Sequence, residues 1–255
     1  MSEKEKKKQI LTTVNIAKSY SDKQVLSDID ITLYEGELVS ILGVSGVGKT
    51  TLFNVLSGLA MPDSGKVFMY DNEAEEDITG KTGYLSYMLQ KDLLLPHKTV
   101  IENVALPLLL DGANKKDALE KAKEHFERFG LAGTEKLYPV ELSGGMRQRA
   151  ALLRTYLCNK RVALLDEPFS ALDTLTKASM QQWYIDVMRD IRLSTLFITH
   201  DMDEAILLSD RIYIMKGSPA VIGGEITVDA KKPRTADFML TDEFLEYKRR
   251  LREML

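Results

Sequence analysis

The feature that most constrains this chain is eight residues long. Gly43-Val44-Ser45-Gly46-Val47-Gly48-Lys49-Thr50 follows the apolar run Leu38-Val39-Ser40-Ile41-Leu42, and from Lys49 onward the apolar spacing becomes helical. A run that is almost wholly apolar is what a parallel strand buried on both faces requires. Strand, glycine loop and helix in that order match a phosphate-binding loop in its required context. The glycines let backbone N–H groups converge on phosphate oxygens, the helix amino terminus adds partial positive charge, and Lys49 adds a full one. Thr50 is placed to bind magnesium, and Thr51 is expected to join residues 43–50 in binding the nucleotide. A glycine-rich turn without a ligand is the bland alternative, but at ordinary composition the four fixed positions coincide by chance in only about one such chain in a hundred.

A second strand ends in carboxylates. Val162-Ala163-Leu164-Leu165 runs into Asp166-Glu167, and ligands of open α/β sheets sit outside the carboxyl ends of strands. Beside a phosphate loop, Asp166 is the expected partner of hydrated magnesium and Glu167 the expected base that orients an attacking water. A solvated strand-end charge is the plain alternative for Glu167. The strand-like residues 195–199 end at His200, where an imidazole could sense a γ-phosphate and hold the water. His97 and His125 read as structural. Leu142-Ser143-Gly144-Gly145-Met146 opens a helix rich in Arg and Ala, a second backbone anion site in a chain that already has one. One nucleotide does not need both loops, which points to a symmetric dimer in which each nucleotide lies between the first loop of one subunit and the second loop of the other.

The remaining sequence alternates strands and helices around a helical lobe. Residues 11–18, 28–34, 37–43 and 66–70 read as strands separated by turn signals at Ser21-Asp22, Glu35-Gly36 and Pro62-Asp63-Ser64-Gly65. Residues 100–110 and 115–129 read as helices, the second from Leu119, Ala122, Phe126 and Phe129 at spacings of three and four. A helix over 145–157, strand 162–166, helix 174–191, strand 195–199 and a short helix from Met202 predict a parallel sheet. Strands 211–215 and 225–228 lead through Lys231-Lys232-Pro233-Arg234 to an amphipathic helix marked by Phe244, Tyr247, Leu251 and Met254, expected to cover the body of the protein.

At 255 residues the chain can bury a real core, and 44% apolar with 28% charged residues is the balance of a protein that folds in water. No apolar stretch approaches the roughly 20 residues of a membrane span, and the start MSEKEKKK lacks the apolar segment of a secretory signal. A cytosolic location with a peripheral membrane role is expected. The single cysteine, Cys158, excludes an internal disulfide or a cysteine-built zinc site. A net charge of -4 does not favour a nucleic-acid partner.

These motifs together resemble the ATP-binding cassette family, specifically the ATPase subunits of transporters, over nearly the whole chain. The resemblance implies an α/β fold with a P-loop NTPase core and mostly parallel sheet, an antiparallel β subdomain and a helical signature-motif subdomain over about residues 91–158. The ATPase domain would span residues 1–230 and a helical extension 231–255. Leu142 to Met146 corresponds to the signature motif, Gln90 to the Q-loop glutamine that also approaches magnesium, Ser170-Ala171-Leu172-Asp173 to the D-loop and His200 to the switch histidine. Tyr20 falls where an aromatic ring stacks on adenine. The implied ligands are ATP and Mg2+, with Ser143, Gly144, Gly145 and Asp173 acting across the dimer interface. The common signature ends in Gln where this chain has Met146, but Ser143 and the glycines still supply the phosphate donors.

ELSGGMRQR over residues 141–149 and QKDLLLP over 90–96 resemble the subgroup that imports nitrate, sulfonates, taurine or thiamine-related pyrimidines, and DEPFSALD over 166–173 resembles an importer more than a lipoprotein-release or macrolide-export ATPase. Two transmembrane permease subunits and, indirectly, an extracytoplasmic solute-binding protein are the implied partners, with a permease helix received beside residues 90–97. A non-transport cassette acting as a nucleotide-driven clamp on DNA or ribosomes is the alternative. The chain has no long heptad insertion, second cassette or zinc cysteine set to support it. A small-molecule kinase would leave the signature loop and His200 without a task.

Overall fold

The computed structural model describes residues 7–71, 74–170, 174–191 and 193–255. The chain begins with β1 (Gln9–Tyr20), β2 (Lys23–Ile29), β3 (Thr32–Tyr34) and β4 (Leu38–Leu42), then the glycine loop and α1 (Lys49–Leu56). β5 (Ser64–Asp71), β6 (Ala74–Asp77) and β7 (Ser86–Met88) follow. A helical stretch holds α2 (Val100–Val104), α3 (Leu106–Leu110), α4 (Lys115–Lys123) and α5 (Gly144–Tyr156). β8 (Val162–Asp166), α6 (Thr174–Ile191), β9 (Ser194–Thr199), α7 (Met202–Leu208), β10 (Arg211–Gly217), β11 (Ala220–Thr227) and α8 (Asp242–Met254) complete it.

Strands β10, β4, β9, β8 and β7 lie side by side and parallel. The P-loop follows β4, His200 follows β9, Glu167 follows β8, and Gln90 comes two residues after β7. Their strands therefore deliver all four to one edge of the sheet. On the other side of β10 the sheet turns mostly antiparallel, through β11, β2, β1, β5 and β6, with β3 also paired to β1. The expected antiparallel β region is this part.

Each central strand is buried on both faces, as its composition demands. Along β4, Val39 and Ile41 join a cluster with Leu52, Phe53 and Leu56 of α1, whereas Leu38 and Leu42 join the opposite cluster with residues of α5, α6 and α7. Alternation along the strand thus divides one apolar run between two cores.

The expected helix over 100–110 is two short helices, because Pro107 has no N–H to offer the Asn103 carbonyl. Asn103 is fully buried, and its amide donates to the Leu95, Lys98 and Thr99 carbonyls at 3.0–3.1 Å. The expected helix over 115–129 ends at Lys123. Phe126 and Phe129 are buried as their spacing suggested, but the chain reaches them through turns with bonds such as His125 N–H to the Ala122 carbonyl and Phe126 N–H to the Lys123 carbonyl.

α8 packs on α7 and β11, burying Phe244, Tyr247 and Leu251. Before it, the Arg234 guanidinium, 3% exposed, donates to the carbonyls of Ile206, Ser209, Val228 and Ala230. Phe244 meets Phe238 edge-on, with centroids 5.5 Å apart. Phe244→Ala should cost about 3–5 kcal/mol, read as a lower urea midpoint. A parent-like midpoint would show that α8 contributes nothing to the body it covers.

Candidate functional site

The glycine loop is shaped by contacts that a side chain would obstruct. A Cβ on Gly43 would lie 2.5 Å from the Met215 carbonyl oxygen, and Gly48 has φ +122°, a backbone state L-residues rarely adopt. Gly48 caps α1 without any side-chain bond, and the first turn of α1 carries no acid. That first turn instead begins with a cation. Lys49, 5% exposed, donates from Nζ to the carbonyls of Gly43 at 2.8 Å and Val44 at 3.0 Å. A lysine beside free N–H groups at the positive end of a helix is unfavourable unless an anion joins them.

Thr50 Oγ1 donates to Asp166 Oδ2 at 3.0 Å, bringing together the two residues expected at magnesium. Tyr87 Oη donates to the same Oδ2 at 3.4 Å. Burial holds the Lys49 ammonium below its ordinary pKa, although Glu167 and Asp166 attract its charge. Burial likewise raises the Asp166 carboxyl, against the lowering effects of its Thr50 bond and Lys49. Both shifts have burial as their largest cause, so each charge is held largely out of water beside the other. Among the described residues no three His, Cys, Asp or Glu side chains gather into a metal cage.

Glu167 has φ +45°, an unusual state for this residue type that costs about 1–3 kcal/mol. Its N–H donates to the Ile198 carbonyl at 3.1 Å, and its own carbonyl accepts from the N–H and hydroxyl of Ser170. The strained turn aims the carboxylate across the strand ends. There Gln90 Nε2 donates to Oε2 at 3.3 Å, and His200 Nδ1 lies 3.3 Å from Oε1. Gln90 also reaches Ser170 Oγ at 3.4 Å.

The other expected residues fall around this centre. Val44 is well exposed on the loop, and Ser45, Gly46, Val47 and Thr51 complete the turn and first helical residues. Tyr20, half exposed, closes the β1–β2 hairpin with Lys18 Nζ 5.4 Å from its ring centre. Val25 and Leu26 of that hairpin line the space beside Gly48. Ser143 caps α5, its Oγ accepting the Met146 N–H at 3.2 Å, with Gly144 and Gly145 in the first turn. Among the described residues no hydrogen bond or ion pair ties Ser143, Gly144 or Gly145 to the P-loop of the same chain. Asp173 of the expected D-loop, with Ala171 and Leu172, lies outside the described residues.

Sequence reasoning did not single out Tyr87, whose hydroxyl becomes a partner of Asp166 only when β7 pairs with β8. It also passed over Thr199 and Asp201, on either side of His200, although Asp201 three residues before Glu204 is a readable helix-start signal.

Comparison with known proteins gives the chain a family and relatives. The ABC transporter family profile matches residues 26–170. The chain is 45% identical over 213 residues to the formylaminopyrimidine import ATP-binding protein ThiZ of Halalkalibacterium halodurans, covering 83% of this chain and 82% of that one. It is 35% identical to the nitrate import ATP-binding protein NrtD of Synechocystis sp., covering 90% and 87%. Among solved structures it is similar to the ATP-binding cassette MJ0796 in a dimer bound to ADP and Pi, with TM-score 0.73, 26% identity and coverage of 87% and 100%.

Proposed function

The chain belongs to the ABC transporter family, and on that premise we propose that it is the ATP-hydrolysing subunit of a binding-protein-dependent importer for a small solute. The observation that carries this reading is the convergence of the P-loop, the Thr50–Asp166 pair, Glu167, Gln90 and His200 at one sheet edge. Two import ATP-binding proteins among its relatives support the direction of transport.

In this reading the P-loop amides and Lys49 bind the ATP phosphates, Thr50 and Asp166 hold Mg2+, with Gln90 beside it, and Tyr20 meets the adenine. Mg2+ supplies charge neutralisation on the phosphates. Glu167 orients water for attack, and His200 holds that water near the terminal phosphate. Ser143, Gly144, Gly145 and Asp173 close the site from a second copy. Because ATP binds the closed pair better than the open one, it performs conformational work. Residues 1–230 form the ATPase domain, with the helical subdomain at about 91–158, and residues 231–255 an extension that covers α7.

The chain works on the cytoplasmic face of a membrane, against two permease subunits that receive solute from an external binding protein. No helix among the described residues is long and apolar enough to cross a membrane; in this reading the permeases supply the path. The coupling segment is residues 91–95. Leu93 is 53% exposed, yet its carbonyl accepts from Arg154 at 2.9 Å, and Asp92 pairs with Arg147 at 3.3 Å. Both arginines lie on α5, the helix that begins at the signature loop. A permease helix pressing on this segment therefore acts on α5 directly.

Leu93→Glu should lose co-purification with the permease and lower solute uptake about 10-fold or more, as removal of a buried interface anchor does. Normal assembly with normal uptake would remove residues 91–95 from the coupling surface.

A further inference from the structure

The turn that carries His200 is fastened from both sides to a polar cluster that the reaction as described does not use. Thr199 Oγ1 donates to Glu204 Oε2 at 2.5 Å and accepts the Asp201 N–H at 3.0 Å. Asp201 Oδ1 caps α7, accepting the N–H groups of Asp203 at 2.8 Å and Glu204 at 3.3 Å. Lys177, the fourth residue of α6, sets Nζ 2.7 Å from Asp201 Oδ2 and 2.7 Å from Glu204 Oε1. One turn along, Gln181 Nε2 donates to Glu204 Oε1 at 3.3 Å. Thr199 is 1% exposed and Glu204 4%.

The cap on α7 needs Asp201 alone, and a shielded ion pair is weak evidence for stability because desolvation offsets most of its attraction. What Lys177 adds is a fixed geometry between α6 and the turn. Among the described residues the His200 side chain has no comparable anchor: it is half exposed and meets Glu167 at 3.3 Å. Strand β9 delivers it to the sheet edge, and its two chain neighbours flank it with bonds that lead to carboxylates held from α6.

We propose that Lys177 is a positioning residue for His200, fixing the imidazole against Glu167 through Asp201 and Glu204. The inference rests on the reading of His200 as a residue that assists hydrolysis. It requires that Lys177 affect the rate through His200 and leave ATP binding to the P-loop untouched.

The test uses the full chain with Lys177→Met, Lys177→Arg, His200→Ala and the H200A/K177M pair, comparing kcat, KM for ATP and melting temperature. K177M should lower kcat about 10-fold or more, as small misplacements of reacting groups do, with KM within about twofold. K177R should recover most of the loss. In the H200A background K177M should have no further effect, the non-additivity expected of residues acting as one unit. Added to Glu167→Gln, K177M should leave ATP-driven dimerisation unchanged, a readout independent of turnover.

A parent-like kcat in K177M alongside a slow H200A overturns the positioning role alone. An equal K177M loss in both backgrounds assigns Lys177 a structural role and overturns it too. A parent-like H200A overturns it together with the reading of His200 beneath it. If K177M does not fold, Asp201→Asn decides, because asparagine retains the helix cap but loses the ion pair. The same kcat-only loss in D201N supports the proposal, and a parent-like D201N rejects it.

Discussion

Glu167→Gln should give a protein that dimerises when ATP and magnesium are added and hydrolyses ATP about 100-fold or more slowly than the parent, the scale of a lost general base. Glutamine has the shape of glutamate, so the turn held by Ile198 and Ser170 through backbone bonds is retained. The change removes the charge that would draw a proton from water, and it leaves Lys49, Thr50 and Asp166 intact. Binding and closure then proceed while the step that reopens the pair is blocked. Two observations motivate the dimer as the form to test. Among the described residues no hydrogen bond or ion pair ties the signature loop to its own P-loop, and the similar cassette MJ0796 forms a dimer bound to ADP and Pi. Size-exclusion chromatography with light scattering, run beside an ATP turnover assay, reads both effects. A variant that binds ATP as a monomer and turns over at the parent rate would reject Glu167 as the base and the paired site with it.

Signals carried by a few adjacent residues could be read from the sequence. The apolar run ending at Leu42 and the glycine loop after it specified a strand buried on both faces and a helix beginning at Lys49, and both are present. Val162 to Asp166 did the same for the carboxylate strand. Apolar spacing was less reliable, because it reports burial before it reports helix. Phe126 and Phe129 are in the core, but they reach it through turns after Lys123. Pairings between distant segments could not be read. Tyr87 and Asp166 are 79 residues apart and meet only through the β7–β8 register, while Lys177 crosses 24 residues to reach Asp201. The strand order explains why the main centre was nonetheless legible. The P-loop, Gln90, the Asp166-Glu167 pair and His200 each lie at or just beyond the carboxyl end of a different strand, so the parallel sheet brings them to one edge.

Lys49→Met should separate ATP binding from stability. Methionine fills nearly the same space as the lysine stem but brings no charge, and Lys49 is a cation held almost out of water by carbonyl oxygens of its own loop. Burial lowers its pKa despite the pull of Glu167 and Asp166, so its charged form opposes folding. The sign of the pH effect follows. Between the lowered value and the ordinary 10.5 the unfolded chain binds the proton more tightly than the folded one, so parent stability gains from this group as pH rises through that window. K49M lacks that gain, and the difference between the two melting profiles isolates it from other alkaline titrations. Near neutral pH, without nucleotide, K49M should melt at or above the parent temperature.

ATP should reverse that order. If Lys49 bonds phosphate oxygens, its loss should weaken ATP affinity about 100-fold or more, or about 2.7 kcal/mol. The nucleotide-dependent rise in melting temperature, which grows with ligand concentration over Kd, should then vanish from K49M at concentrations that saturate the parent. A K49M protein that melts lower without ATP and keeps its full ATP-dependent shift would mean that the lysine supports the loop and does not bind the nucleotide.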